Sequence, residues 1–206
     1  MGEDFDERAA TWDDDLERMA RARRVAAVVR SVVPLDGHPV TVELGSGTGM
    51  LARCLHDVLG PTTLLDASPA MVEVASKALA SEGLGDWSAA VADLSEGIPG
   101  GPYELALAQM FLHHVEDVPA LLRALRRFVT PEGVVVIADL DHDAAKRYHA
   151  TAVDFHGHHG FCRDELRGWL EQAGYHDICF HDAGVVGKEV DGERQDFPMF
   201  LAVAKV

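Results

Sequence analysis

A glycine-rich segment that follows a short β-branched run constrains this chain most. Residues Val40–Val42 are β-branched, glycines stand at alternate positions 45, 47 and 49, and a helical pattern begins at Met50. Glycine adopts positive φ without a Cβ penalty and lets a ligand approach the backbone amides of a helix N-terminus. The segment therefore predicts a strand, a tight turn and a helix start that together form a ligand-binding loop.

Two residues of this segment narrow the class of ligand. A dinucleotide fingerprint, G-x-G-x-x-G/A, would need a small residue where the bulky Met50 stands. Glu43 places a carboxylate at the end of the strand, where it would repel a pyrophosphate and attract a cation. The amino group and the sulfonium of S-adenosylmethionine (SAM) are both positive. The segment therefore favours SAM over a dinucleotide.

Composition predicts one domain and excludes several classes of partner. The 206 residues carry a formal net charge of -16, which argues against nucleic acids and anionic membrane surfaces. The three cysteines form no CxxC pair, and the acidic start of the chain does not resemble a signal peptide, so a cytoplasmic location is expected. We predict one domain over residues 1–206, with a helical lid at 1–38, a core at 39–206 and an insertion at 141–160.

Strand-like and helix-like patterns alternate after residue 40, which predicts an α/β fold with a parallel sheet. The predicted strands are Val40–Leu44, Thr62–Asp66, Trp87–Ala92, Tyr103–Ala108, Gly133–Asp139, Tyr175–His181 and Phe197–Val203. The predicted helices are Asp13–Val33, Met50–Leu59, Pro69–Glu82 (with Ser68 as N-cap), Val118–Phe128 and Arg163–Ala173.

Polar residues at the strand ends fit a nucleoside ligand, because open α/β sheets bind ligands beyond the carboxyl ends of parallel strands. Asp66 could accept both ribose hydroxyls or cap a helix, and Asp93 could accept from an adenine amino group or be a solvated loop acid. Met71 could cover an adenine face or pack its own helix. Gln109 ends the fourth strand at the same edge.

Five segments in this order resemble class I SAM-dependent methyltransferases. They are Val42–Gly49, Leu64–Ser68, Val91–Leu94, Gln109–His114 and the turn Thr130–Gly133. Residues Phe5–Asp13 also resemble the N-terminal segment of small-molecule methyltransferases, similar to those of quinone biosynthesis, in which it folds over the cofactor. The resemblance implies a Rossmann-like, doubly wound, three-layer α/β/α sandwich whose seven-stranded sheet has an antiparallel last strand.

The resemblance also implies a cofactor site but no particular substrate. The residues expected to contact SAM are Trp12, Glu43, Gly45, Ser46, Gly47, Asp66, Ala67, Met71, Asp93, Leu94 and Gln109. The implied reaction moves a methyl group from SAM to a small organic acceptor and releases S-adenosylhomocysteine (SAH). A protein that binds SAM or SAH without catalysis stays open as an alternative, as does, with less support, a nicotinamide-dependent oxidoreductase. The acceptor and the oligomeric state cannot be deduced from the sequence.

Histidines are the candidate bases of this chain. His113 and His114 follow the fourth strand and could take a proton near neutral pH or hold a loop carbonyl. His158 and His159 lie in an aromatic-flanked turn of the insertion, where they could line a substrate pocket or play a structural role. A helix through 144–155 would put His142, His149 and His156 on one face. Their spacing of about 10 Å is too long for two to share one ion, so no metal is predicted.

Overall fold

A seven-stranded sheet organises the computed structural model, which describes residues 5–143, 146–150 and 155–206. The strand order is β3-β2-β1-β4-β5-β7-β6. The first five strands are parallel, and β7 runs antiparallel to both β5 and β6. The strands are β1 (Thr41–Leu44), β2 (Thr62–Asp66), β3 (Ser88–Val91), β4 (Tyr103–Gln109), β5 (Val129–Leu140), β6 (His176–Val190) and β7 (Glu193–Lys205). This confirms the predicted α/β fold with its antiparallel last strand.

Helices cover both faces of the sheet and begin at the capping residues that the sequence supplies. The side chain of Ser68 accepts a hydrogen bond from Met71 N over 3.1 Å, which confirms Ser68 as the cap of its helix. Asp117 caps the next long helix, because its side chain accepts a hydrogen bond from Ala120 N over 2.8 Å. The helices are α1 (Phe5–Arg8), α2 (Leu16–Val32), α3 (Met50–Arg53), α4 (Pro69–Glu82), α5 (Val118–Leu125) and α6 (Arg163–Gln172).

Two apolar layers hold these helices against the sheet. Successive residues of β4 alternate between the layers, with Leu105 and Leu107 in one and Ala106 and Ala108 in the other. Helices α2, α3 and α4 pack in the first layer, and α5 and α6 pack in the second. Because both faces are covered, the strand interiors are buried, and polar side chains at the strand ends meet at one edge.

The structure corrects the bounds of two predicted helices. The helix predicted over Met50–Leu59 ends at Arg53, because Leu55 and His56 donate to carbonyls only three residues back and the chain tightens into turns. The helix predicted from Asp13 begins at Leu16, since a 3₁₀ turn occupies Ala9–Asp14 and Asp15 is the cap.

The last two strands are longer than predicted and form a hairpin. They meet at Asp191 and Gly192, which both have positive φ (55° and 79°), as a two-residue hairpin turn requires. The helix predicted through 144–155 lies partly outside the described residues, and residues 148–150 form a turn. No helix in the described part of the chain combines the length and hydrophobicity that a bilayer span needs.

Candidate active site

Three cavities meet at the carboxyl ends of the parallel strands. The first, of about 320 Å³, is lined by the glycine loop, by the ends of β1, β2 and β4, and by the N-terminal segment. The second, of about 530 Å³, lies between the residues that follow β3 and helix α5. The third, of about 240 Å³, is bounded by α2, by the connection from β4 to α5, and by β6. His114 lines all three cavities and therefore marks their junction.

The glycine loop has a backbone shape that side chains would disturb. Gly45, Gly47 and Gly49 have φ of 57°, 53° and 77°, in the left-handed region that favours glycine. A Cβ on Gly45 would come 2.0 Å from Cδ2 of Phe111. A Cβ on Gly47 would project into the first cavity, 3.9 Å from Sδ of Met71. The loop thus presents bare backbone to the first cavity.

Asp66 ties the glycine loop to the loop that follows β2. Its Oδ2 accepts from Gly47 N over 2.7 Å, and its Oδ1 accepts from Ser68 N over 2.9 Å. The side chain is half-buried and, with Ala67, lines both the first and the second cavity. Each carboxylate oxygen keeps a second lone pair for a ligand hydroxyl.

Glu43 is a buried carboxyl group beneath the first cavity. Its Oε2 accepts from Ala52 N at 3.1 Å, and only 3% of the residue is exposed. Burial, reinforced by the charge of Asp66, raises the pKa of Glu43 to about 8, against the opposing effect of the Ala52 bond. A cationic ligand group in the cavity would favour the ionised form.

The remaining strand-end residues divide between the first two cavities. Met71 and Gln109 line the first cavity, and the buried Oε1 of Gln109 has no hydrogen-bond partner. Asp93 and Leu94 line the second cavity, where Asp93 is exposed. The hydroxyl and the backbone amide of Ser95 donate hydrogen bonds to the carboxylate of Asp93, and these bonds lower the pKa of Asp93. Met71 and Asp93 therefore line different cavities. Ser46 lines the first cavity, as Met71 does.

The N-terminal segment covers the first and third cavities. Trp12 lines both, and the guanidinium of Arg18 lies 3.7 Å from its ring centroid. Asp13 accepts from Thr48 Oγ1 over 2.6 Å and from Arg53 Nη1 over 2.7 Å. The side chain of Asp13 therefore fastens this segment to the glycine loop.

A histidine and a carboxylate form a buried pair beside the third cavity. Nδ1 of His113 lies 2.6 Å from Oδ1 of Asp139, and the exposed fractions of the two residues are 2% and 0%. Burial alone would raise the pKa of Asp139, but the charge and hydrogen bond of His113 bring it below its usual value. Because the carboxylate can only accept, Nδ1 is the ring nitrogen that donates to it.

The other candidate histidines have different surroundings. Burial, with the charge of His113, lowers the pKa of His114 to about 3, so this ring is neutral at physiological pH. His158 packs against Phe161 and Trp169, with ring centroids 5.1 and 5.8 Å away, and it lines none of the three cavities. His159 also lies outside them, beside Phe155. Within the described ranges, no three His, Cys, Asp or Glu side chains are arranged to hold a metal ion.

The third cavity is lined by His149, which the sequence singled out only for its spacing, and by residues that it did not single out. Arg21 of α2 and Lys188 of β6 face it from opposite elements, and Tyr148 and His149 complete the wall. Arg18 and Arg21 stand three apart on one face of α2, but this spacing does not by itself indicate a cavity. The contribution of β6 had no local signal, since it depends on how far the hairpin extends.

A family model described as a methyltransferase domain matches residues 7–179. The chain belongs to the class I SAM-dependent methyltransferase family. This confirms the resemblance that its glycine loop and strand ends carry. The buried Met50 at the third fingerprint position agrees with membership of this family rather than of the dinucleotide-binding enzymes.

Relatives within this methyltransferase family differ in their reactions. The chain is 31% identical to the biotin biosynthesis bifunctional protein BioCD of Bordetella avium, over 67% of this chain and 28% of that protein. It is 28% identical to the ubiquinone biosynthesis O-methyltransferase of Caulobacter vibrioides, over 52% of this chain and 43% of that protein. The chain thus spans about half or less of the curated relatives it matches.

A solved methyltransferase has the same fold over nearly the whole chain. The crystal structure of a SAM-dependent methyltransferase from Aquifex aeolicus superposes with a TM-score of 0.69 at 18% identity. The superposition covers 97% of each chain. At this identity the likeness concerns the fold, and the acceptor must be argued from the residues of this chain.

Proposed function

We propose that this chain transfers the methyl group of SAM to a small organic acceptor and releases SAH. The observation that carries the proposal is the convergence of Glu43, Asp66 and Gln109 with the glycine loop on one cavity of a methyltransferase fold. A carboxyl group, a ribose-type carboxylate acceptor and an unpartnered amide oxygen match the polar groups of the methionine and ribose parts of SAM.

The residues present fit the cofactor. The unpartnered Oε1 of Gln109 and the space that a Cβ on Gly47 would fill both belong to the first cavity. Glu43 would face the amino group and Asp66 the ribose hydroxyls. Adenine would lie where the first two cavities meet, between Met71 of the first and Leu94 of the second. Trp12, Ser46, Ala67 and Asp93 complete the proposed set of contacts.

When bound, SAM supplies a methyl carbon that its sulfonium already activates. The chain's own residues then need to position the acceptor and exclude water. The rings of Phe5, Trp12 and Phe111 enclose the junction marked by His114. The third cavity opens from that junction, so the acceptor would occupy the third cavity and present its nucleophilic atom to the first.

His113 is the residue that we assign to accept a proton from the acceptor. Asp139 holds Nδ1–H, so the Nε2 lone pair is the one available at the third cavity. The low pKa of His114 suits a neutral hydrogen-bonding or positioning role at the junction, rather than the role of a base. His158 and His159, outside the cavities, are not assigned a contact with the acceptor.

Release of SAH from SAM, measured over a panel of phenolic, carboxylic, amine and thiol acceptors, tests the proposal. We expect turnover with at least one acceptor class, abolished in Asp66→Ala and retained in Asp86→Ala, a matched change at an exposed site outside the cavities. Binding of SAH without turnover on any acceptor would favour the non-catalytic alternative. Affinity for NADH without affinity for SAM or SAH would overturn the proposal.

A further inference from the structure

Arg21 is a cation at the wall of two cavities. It lies on α2 and lines both the first and the third cavity. Its Nε is buried and has no hydrogen-bond partner. Among the described residues, no carboxylate forms an ion pair with its guanidinium. Burial lowers the pKa of Arg21, although arginine stays protonated in proteins.

The two acids whose charges act on Arg21, Asp15 and Asp139, are already engaged, and Asp139 is held by the ring of His113. Asp15 caps α2 through the amides of Glu17 and Arg18. Glu17 pairs with Arg194 over 2.6 Å. Arg24, the next arginine on this helix face, donates to Val185 O over 2.8 Å.

A buried charge is costly unless a counter-charge satisfies it. The structure therefore leaves Arg21 with the positive charge that an incoming anion would neutralise.

We propose that the methyl acceptor is a small organic anion whose carboxylate or phosphate group binds Arg21 in the third cavity. This inference rests on the proposed function, since it names the acceptor class of the same site. The planar fork of a guanidinium matches both kinds of oxyanion through two parallel hydrogen bonds. An acceptor held there would extend from Arg21 toward His113 and His114 at the junction.

The other walls of the third cavity support an acidic rather than a basic acceptor. Lys188, which donates to Tyr148 O, adds a second cation from β6. His149 is 5% exposed, and neither of its ring nitrogens has a hydrogen-bond partner. Burial and the neighbouring histidines lower the pKa of His149 to about 3, so its ring is neutral and can serve an oxyanion only as an N–H hydrogen-bond donor. The charged residues that line this cavity are four cations and two acids: Arg8, Arg18, Arg21, Lys188, Asp15 and Glu17. Both acids are engaged, one by the amides at the start of α2 and the other by Arg194, so the lining is cationic although the net charge of the chain is -16.

Matched neutral and anionic probes test the inference. Benzoate, phenyl phosphate and benzamide are titrated by calorimetry into the full chain saturated with SAH, as wild type, Arg21→Gln, Arg21→Lys and Arg23→Gln. Arg23 is an exposed arginine on the same helix, outside the three cavities, and serves as the control. A charge-assisted hydrogen bond contributes about 1.5–3 kcal/mol, or roughly 10- to 100-fold in affinity.

We expect at least one anion to bind about tenfold or more tightly than benzamide. Arg21→Gln should lose that preference, Arg21→Lys should keep part of it because the charge remains, and Arg23→Gln should match the wild type. The affinity for SAH should change less than about threefold in Arg21→Gln. Circular dichroism checks that the variants fold. The preference of the wild type for an anion over benzamide tests the acceptor class even if a variant does not fold.

Three results would count against these assignments, and they are distinguishable. Equal affinity of the SAH-bound wild type for the anions and benzamide would overturn the anionic acceptor alone. Loss of SAH binding in Arg21→Gln, with the anion preference intact, would place Arg21 on the methionine carboxylate of the cofactor and overturn its role here. Failure of the wild type to bind SAH would overturn the proposed function itself.

Discussion

His113 donates from Nδ1 to Asp139 across 2.6 Å, and Oδ2 of the same carboxylate accepts from the backbone amide of His113 at 3.2 Å. The carboxylate therefore fixes both the ring and the backbone of the residue that follows β4. One carboxylate thus sets the tautomer of the ring and holds it at the edge of the third cavity. This is the arrangement that a positioned general base requires.

Asp139→Asn removes the negative charge and allows the wrong tautomer of His113. Because general base catalysis contributes about 10²- to 10⁴-fold, we expect the methyl-transfer rate to fall roughly 100-fold or more for an acceptor that loses a proton. The affinity for SAH should stay within about threefold of wild type, since Asp139 lines neither the first nor the second cavity. Single-turnover rates and SAH calorimetry measure the two effects. An unchanged rate with a protonated acceptor would show that His113 is structural.

Glu43 should release a proton when the cofactor binds. Its pKa of about 8 in the folded chain leaves it mostly protonated at pH 7, and the amino group of SAH would favour the carboxylate. We expect about one proton released per SAH at pH 7, measured as the dependence of the calorimetric enthalpy on the ionisation enthalpy of the buffer. Glu43→Gln should abolish this dependence. A wild-type enthalpy that is the same in every buffer would contradict the assignment.

The same residue should make stability depend on pH. Because the folded pKa of Glu43 lies above its usual value near 4.5, its protonated form favours folding. This contribution is complete below about pH 4.5 and declines as the pH rises toward 8. In urea titrations between pH 5 and 8, Glu43→Gln should therefore lose less stability than wild type as the pH increases. Parallel pH profiles of the two proteins would contradict this expectation.

Gly45→Ala tests the shape of the glycine loop. The new Cβ would combine a φ of 57° with a contact of 2.0 Å to Phe111, and we expect the free energy of unfolding to fall by about 2–4 kcal/mol. Gly83→Ala is the control, because it has a similar φ of 74° but open space around the Cβ, and about 1 kcal/mol is expected. Urea denaturation measures both. Equal losses would show that Phe111 moves aside without cost.

Asp13→Asn tests whether the N-terminal segment closes the site. The variant weakens the contacts of Asp13 with Thr48 and Arg53, which fasten Trp12 over the cavities. We expect SAH affinity to fall about five- to tenfold and amide exchange of residues 5–14 to accelerate. Asp14→Asn, at an exposed neighbouring position, should leave both unchanged. Unaltered exchange and affinity in Asp13→Asn would contradict a closing role.

The fold was predictable where local patterns carry the information. The β-branched runs, the Ser68 cap and the strand-end acids are all local, and the parallel part of the sheet follows from them. The antiparallel last strand was implied by the family resemblance and not by any local pattern. The Asp191-Gly192 dipeptide is also a local hairpin signal, but the polar residues around it hide the strands that it joins. The length of β6 depends on pairing with β7, which periodicity alone does not report.

The candidate site was predictable only on its cofactor side. Strand ends place Glu43 and Asp66 at one edge by topology, so their proximity follows from the chain order. The acceptor side joins α2, β5 and β6, which are distant in sequence. The Asp139 pairing that selects His113 and the unpartnered Nε of Arg21 therefore have no sequence signature. The burial that lowers the pKa of His114 also depends on tertiary packing, so the sequence could not distinguish the two neighbouring histidines.

Calorimetric titration of SAH into the wild type, Asp66→Ala and Asp86→Ala tests the central claim most directly. Asp66 links both cavities of the proposed cofactor site, and Asp86 belongs to neither. We expect one SAH per chain in the wild type, affinity at least about 30-fold weaker in Asp66→Ala, and wild-type affinity in Asp86→Ala. A wild type that fails to bind SAH, or an Asp66→Ala variant that binds it as tightly as the wild type, would contradict the account.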